Sequence, residues 1–598
     1  MLKDEKIIEV KTCKHCNSSF EITDKDLEFY EKVSPIFQDR KYSIPIPQLC
    51  PDCRQQRRLS FRNERKLYKR KCDATGKDII SIYSPDKSFK VYHQEYWWSD
   101  KWDPMDYGRD FDFSRSFFEQ FEELMKIIPY PNLITDNNIN ENSEYVNFSG
   151  ASKNCYLVFE NGDCEDDYYC YHIYSSKDCM DCLGIFGSNN CYECIDITNC
   201  SNLYYSINVS NCNDSYFLFD CTNMKNTYGC FNLRNKQYCI FNKQYSKEEY
   251  FQKLDVLLKN NFKKSFYKFL SNKSNYIHLG SILNGSENSS GDFLFNSKNV
   301  KNGYYSRNMQ DSAFIDFFQG SSNIYDCYSW GYDVGYGGAN RCYESISTGN
   351  GVDMILFSYL CWENSNNIYY SYLCRWSSNL FGCIGLHNKS YCILNKQYTK
   401  EQYETLVPKI IEHMQKTLEW GEFFPSSISP FGYNETVAME YFPISHSIKP
   451  SSPTLLSKVE GGLEIPLPLG EVRGGQGIFN RSTYEPPFPK VDKIIKASML
   501  PEDISQIPDD ILNRAIECEI TKKPFRIIKQ ELEFYRKHNL PIPKRHPDQR
   551  HLDRMSLRNP RKLFDRKCDK CGKDIKTTYS PDRKEIVYCE ECYDREVY

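Results

Sequence analysis

From residue 152 to 235 the polar and apolar positions recur every twelve residues without a gap, in seven units running from SKNCYLVFENGD to MKNTYGCFNLRN. Position 3 is Asn or Asp in all seven, position 5 is Tyr in six, position 7 is Cys in four, and position 8 is apolar or aromatic throughout. Apolar positions 8 and 10 flank a polar position 9, the period-2 pattern of a strand with one covered face. The Asn or Asp between strands tolerates left-handed backbone and bonds its neighbours, so it marks turns. Short strands joined by turns at constant length predict a parallel β-solenoid, with two units making one coil of about 24 residues. Positions 8 and 10 would point inward and the acids Asp196 and Asp220, at position 9, outward. The cysteines would stack as small buried hydrophobes. The C-x2-C pairs Cys179/Cys182 and Cys191/Cys194 offer a metal-storing array as the alternative, but residues three apart in a strand point to opposite faces.

A worn second copy follows. Residues 297–308, 309–320 and 321–332 keep the register, the Gly-rich GYDVGYGGAN at 331–340 interrupts it as a turn or insertion, and 365–376 with 377–388 restore it. Both copies end in an NKQY segment, where Ser246 with Glu249 and Thr399 with Gln402 have the spacing of a helix capping box. Each solenoid should therefore close under an amphipathic helix, which hides an otherwise sticky sheet end. The segment 111–129 predicts a further amphipathic helix, PEDISQIPDDILNRAI one or two more, and the Pro/Gly/Ser-rich stretch from 446 an extended linker.

The two ends of the chain carry one module twice. The N-terminal copy has Cys13-x2-Cys16, Cys50-x2-Cys53 and Cys72; the C-terminal copy has Cys518, Cys568-x2-Cys571 and Cys589-x2-Cys592, and 57–72 matches 553–568 without a gap. Superposed, the module has two four-ligand sites, each complete in only one copy. Cys13, Cys16, Cys50 and Cys53 have lost counterparts in Cys518, Thr521, His546 and Gln549; Cys568, Cys571, Cys589 and Cys592 have theirs in Cys72, Thr75, His93 and Tyr96. Paired C-x2-C knuckles supply a closed thiolate tetrahedron, the signature of structural zinc, so two structural Zn2+ ions are expected. The degenerate sites keep one Cys and one His each, and the expectation there is a retained fold without metal.

The fold class that emerges is mainly β: two parallel β-solenoids of 12-residue repeats with capping helices, flanked by small zinc-ribbon-like modules. The boundaries are 1–100 for the N-terminal zinc module, 101–139 for a helical connector, 140–242 for the first solenoid and 243–284 for its capping helix and linker. The second solenoid follows at 285–396, its capping helix at 397–445, the linker at 446–500 and the C-terminal zinc module at 501–598.

Composition adds little except by exclusion. No apolar leader precedes the first knuckle and no run is long enough to span a bilayer, so the 28 cysteines read as reduced thiols of a cytoplasmic protein without membrane contact. Phosphate-loop, zinc-protease and nucleophile-elbow motifs are missing. The acids Asp163, Glu165, Asp166 and Asp167 cluster, but turn residues and a solvated face account for them; His172 reads as a surface residue. A non-enzymatic protein is expected.

Charge is more suggestive. The net charge is −4, yet nine of the residues from Arg54 to Lys71 and nine from Lys544 to Lys567 are Arg or Lys. Arg54, Arg57, Arg58, Arg62, Arg65, Lys66 and Lys69 in one copy, with Arg558, Arg561 and Lys562 in the other, would form basic patches for RNA or a ribonucleoprotein if they face outward. If they face inward they bridge to solenoid acids instead. The alternative reading is a scaffold whose solenoid faces bind a protein or a glycan, with a carbohydrate-active solenoid enzyme as the least favoured.

The N-terminal motif, C-x2-C…F…FY…P-x-LCPDCR, resembles the probable zinc-ribbon family of small bacterial domains, and the full layout looks like long bacterial proteins that carry it. The resemblance implies metal binding at Cys13, Cys16, Cys50 and Cys53. It implies no activity.

Overall fold

The computed structural model describes residues 2–598 apart from 4, 136–138, 259–261, 331–337, 445–478, 489–490 and 492. Between residues 145 and 393 the chain winds into parallel strands, and the solenoid architecture is as expected. The coil is shorter than the repeat suggested. Ile195 pairs with Ile207 and Ile197 with Val209, so one 12-residue unit is a complete turn, not half of one.

The backbone explains why. Every third residue is left-handed: Asn190, Glu193, Asp196 and Asn199 have φ of 59°, 53°, 54° and 52°, and the next coil repeats the pattern. Two extended residues and one left-handed corner make a side, and four sides close a turn. Side chains at positions 1, 4, 7 and 10 therefore point inward together. Cys179, Cys182, Cys191 and Cys194 all lie inside, fully buried, so the rule that residues three apart diverge fails here. Position 10 is inward as expected; position 8 is not. Phe159, Leu183, Ile195, Ile207 and Phe219 are buried because another part of the chain covers them from outside.

The corners divide by environment. At exposed corners the chain uses Asn and Asp, which adopt φ > 0 at least cost, and their amides form ladders: Asn190 donates to Asn202 (2.8 Å), and Asn202 to Asp214 (2.8 Å). At covered corners bulky residues such as Tyr205 and Phe217 take the same conformation. Their rings pack on Phe266 of the helix Phe262–Ser271, and that contact offsets the backbone strain. Inside, thiols donate to carbonyls nine residues on, as Cys194 does to Leu203 (3.3 Å), while Ser206 and Ser215 accept the Leu218 and Thr227 amides (3.0 Å each).

Asp167 occupies an inward position. One carboxylate oxygen accepts the Cys179 amide at 2.7 Å, and the other is buried without a partner. Burial pushes its pKa from 3.8 up to about 8. The folded chain thus keeps a proton that the unfolded chain releases, and this group erodes stability as pH rises from about 4 to about 8. Asp167→Ser restores the hydroxyl acceptor used by Ser215. It should raise the melting temperature more at about pH 8 than at about pH 5, where less deprotonation cost is relieved. Circular dichroism melts at the two pH values test this; equal gains would mean that the carboxyl stays ionised.

In the second solenoid, Ser322 pairs with Asn340, which inserts six residues into one turn, and two later turns carry one extra residue each before the 12-residue register returns. Residues 331–337 of the Gly-rich stretch lie outside the described residues. Both solenoids end in a short antiparallel strand and a capping helix, Lys247–Leu258 after Ser246 and Lys400–Lys416 after Thr399. The helix expected at 111–129 is Phe117–Ile127. Residues 501–516 differ: Pro501 and Pro508 break the segment, leaving the 3₁₀ turns Ile504–Gln506 and Asp509–Asn513. Most of the 446–500 linker is outside the described residues, and its end is the strand Ile494–Lys496, paired with Ala515–Glu517.

The terminal modules dock crosswise. In the N-terminal module Phe29 stacks on Tyr325 of the second solenoid (3.7 Å between centroids) and Tyr30 meets Tyr343. In the C-terminal module the equivalent Phe534 and Tyr535 meet Tyr192 of the first. Each module also pairs a strand with the segment leading into the other solenoid, Val91 with Tyr130 and Ile277 with Ile586. Each module thus spans both solenoids, and the molecule is a pseudo-twofold clasp.

Candidate metal centres and the arginines beside them

In each intact site one pair of sulfurs comes from a tight knuckle and the other from the N-cap and the first turn of a helix. Asn17, left-handed at φ 61°, turns the first knuckle, and its amide donates to the Cys13 carbonyl at 3.0 Å. Cys50 caps the helix Pro51–Leu59, with Pro51 as its first residue and Cys53 one turn in. The C-terminal site repeats the device. Gly572 (φ 76°) turns the Cys568–Cys571 knuckle, and Cys589 caps the helix Glu590–Val597.

Within each tetrad the four sulfurs lie within 4.8 Å of one another. Cys16 and Cys50 are 3.6 Å apart, and Cys571 and Cys589 3.7 Å. A tetrahedron with metal–sulfur bonds of about 2.3 Å has edges of about 3.8 Å, so both tetrads fit a four-thiolate metal with no open coordination position. Burial opposes ionisation of Cys568, while amide donors led by Cys589 lower its pKa; burial raises those of Cys589 and Cys592. These are the only such ligand groups among the described residues. The interior cysteines form none, and burial raises thiols such as Cys182 and Cys194 well above the ordinary range.

The degenerate sites keep the knuckle and reuse the ligand positions. His93 donates its amide to Cys72 sulfur at 3.2 Å, as Cys589 does to Cys568. Asp73 and Asp569 each accept a valine amide at 2.7 Å. Tyr96 packs edge-on against Tyr92, His546 accepts the Asp548 amide as a helix cap, and Gln549 bonds Asp553.

The basic segments do not form outward patches, which corrects the arrangement that nucleic-acid binding required. Eight of the ten residues singled out pair with carboxylates. Arg54 meets Asp326 (2.7 Å), Arg57 meets Glu344 (2.8 Å) and Glu422 (2.7 Å), and Arg58 meets Glu344 (3.0 Å). Arg62 lies between Glu64 and Glu160, Arg65 and Lys66 reach Asp548, Arg558 binds Asp196, and Arg561 approaches Asp316 at 3.6 Å. Of the ten, only Lys69 and Lys562 are exposed and outside any ion pair among the described residues. The cause is the crosswise docking, which lays one arginine helix, Pro51–Leu59, on the acidic corners Asp326 and Glu344. It lays the other, Pro547–Met555, on Asp181 and Glu193 through Arg550 and Arg554.

Three further expectations change with it. Asp196 and Asp220 are not solvated, since Arg558 holds the first and Arg234 with Tyr593 the second. His172 is buried and stacks on Phe317 at 3.9 Å, where the solenoids meet. Of the clustered acids, Glu165 pairs with Lys177 at the surface and Asp166 accepts from Asn154. Arg550 and Arg554 went unrecognised in the sequence, although acids at the sixth position of three repeats were a usable signal.

No family model and no curated protein matches the chain, so the zinc-ribbon resemblance rests on its motifs alone. No described helix is long and apolar enough to cross a membrane, and all 28 cysteines are unpaired.

Proposed function

We propose that this is a non-enzymatic scaffold, held shut by two structural zinc ions, that presents its open solenoid faces to a protein partner in the cytoplasm. The observation that carries this reading is how the solenoid columns are used. In the first solenoid, positions 5, 6, 8 and 9 are taken up by the terminal module, the cap and the other solenoid. Positions 2 and 12 stay open, with Lys153, Lys177, Asn189 and Lys225 along one edge and Asn199, Asn211 and Asn223 along the other. Such a face offers repeated amides and charges of both signs at a constant spacing of about 4.8 Å. That suits a polar protein surface better than a phosphate backbone, which needs positive charge concentrated on one face. Reduced thiols and closed thiolate sites agree with a reducing compartment.

Cross-linking mass spectrometry with an amine-reactive reagent in the source cell tests the reading. Partner cross-links should fall at Lys153, Lys177, Lys225 and Lys298. Photo-cross-links to RNA concentrated at Lys69 and Lys562 would overturn it in favour of nucleic acid.

A further inference from the structure

The two halves of the clasp follow one plan, but one place differs between them. Where the second half of the N-terminal module meets the second solenoid, aromatic rings fill the space. Tyr83 stacks on Phe431 (5.1 Å) and touches Tyr130 (5.2 Å), and Tyr130 meets Phe89 (4.8 Å) and Tyr372 (6.0 Å). At the equivalent place in the C-terminal half, around Tyr579, there is a cleft of about 50 Å³. By the repeat, Tyr579 matches Tyr83, Asn559 matches Asn63, and Arg558 matches Arg62. The fold therefore does not impose the opening; the residues that line it do.

The lining has a one-sided hydrogen-bonding deficit. Arg62 spends its donors on Glu64, Ser347, Ser329 and Glu160. Arg558 gives Nε and Nη2 to Asp196, and its Nη1, buried, has no partner among the described residues. Lys273 also lines the cleft, near the face of Phe219 (5.3 Å), with no acceptor for its ammonium among the described residues.

The carboxylates of the lining do not supply the missing acceptor, because each is already engaged. Asp196 takes Arg558, Asp220 takes Arg234 and Tyr593, and Asp292 takes the Thr578 hydroxyl with the Ile282 and Phe293 amides. What remains is two cationic side chains in the lining of a space with room for roughly three to five waters. The walls are Phe219, Phe293, Tyr305 and Ile207. A buried donor left without a partner is costly, and an anionic oxygen is its strongest one.

We propose that this cleft is a binding site for a small oxyanion, a carboxylate or phosphate group bridging Arg558 Nη1 and Lys273 Nζ. The site lies where the first solenoid, the entrance to the second and the C-terminal module meet, so an occupant would tie the three together. It adds a ligand to the scaffold reading and does not depend on it.

Calorimetric titration of the zinc-loaded full chain with inorganic phosphate, and separately with acetate, tests the proposal. One saturable equivalent is expected. Binding of phosphate alone assigns a phosphate group, and binding of both shows that a carboxylate suffices. Lys273→Met, which keeps the stem and removes the charge, should weaken binding about tenfold or more. Ile207→Trp, which fills the cleft, should abolish it. Both variants should keep their zinc content, and Lys273→Met its melting temperature. No saturable binding of either anion to the unaltered chain, or binding unchanged in Lys273→Met, would overturn the site.

Discussion

With zinc in both thiolate tetrads, as proposed, Cys53→Ser should lower the zinc content from two ions per chain to one and loosen the second solenoid as well as the module that carries the mutation. Structural zinc contributes an apparent binding free energy of about 10–16 kcal/mol to small modules of this kind, which is folding free energy because the site does not persist unfolded. Cys53 lies one turn into the helix Pro51–Leu59, and that helix carries Arg54, Arg57 and Arg58 onto Asp326 and Glu344. Once the helix comes free, two carboxylates buried to within 1% of full lose their counter-charges. Hydrogen exchange should therefore speed up across residues 324–330 and 338–346 and stay slow in the first-solenoid coils from 191 to 222. Cys571→Ser should spare 324–330 and 338–346 and act through Ile586, whose strand pairs with Ile277 at the entrance to the second solenoid. Elemental analysis and exchange mass spectrometry read both effects. Exchange confined to the mutated module would mean that modules and solenoids fold independently, as their separate sequence patterns suggest.

That last point shows where sequence legibility stopped. The repeat length, the two solenoids, their capping helices and both thiolate tetrads follow from spacing, because each depends on residues close together in the chain. The facing of individual positions does not. Position 8 and position 10 are equally apolar, yet Ile195 is covered from outside and Ile197 from inside. Hydrophobicity records burial without recording the side from which it comes. The corners mislead for a related reason. Asn199 announces a left-handed turn, whereas Phe217 has the same backbone and looks like core, because its strain is offset by a helix some fifty residues further on.

The basic segments failed on range. Whether Arg58 faces water or Glu344 depends on a contact across 286 residues, and no local pattern reports it. The complementary signal was charge at one repeat position. Asp181, Glu193 and Asp326 stand at the sixth place of their repeats, where other repeats have Leu, Tyr, Phe, Gly or Asn. Acids recurring on a column that is otherwise covered require a cation to cover them, and the two arginine helices are the cations nearest in number.

The same charges yield the largest effect expected from a substitution away from zinc. Arg54, Arg57 and Arg58 face Asp326, Glu344 and Glu422, three cations and three anions, nearly all removed from water. Asp326→Ala leaves one guanidinium without a counter-charge in a site it cannot leave, at a cost of about 3–5 kcal/mol. The loss should appear as a lower opening free energy for the amides of Pro51–Leu59 in native-state hydrogen exchange, which reports this helix even if the large chain unfolds in steps. Removing both partners is a different perturbation. Arg54→Met with Asp326→Leu takes out a cation and an anion together and fills their space with apolar groups, so desolvation no longer needs compensation. Replacing a buried pair in this way is often neutral or better. The double variant should therefore recover most of what Asp326→Ala loses, within about 1–2 kcal/mol of the unaltered chain. Such recovery would mean that the arginine contacts specify which solenoid each module docks on more than they hold it there, since apolar groups serve as well for adhesion but cannot choose between acidic columns. Losses that simply add would contradict this, and would show that each charge works through other neighbours.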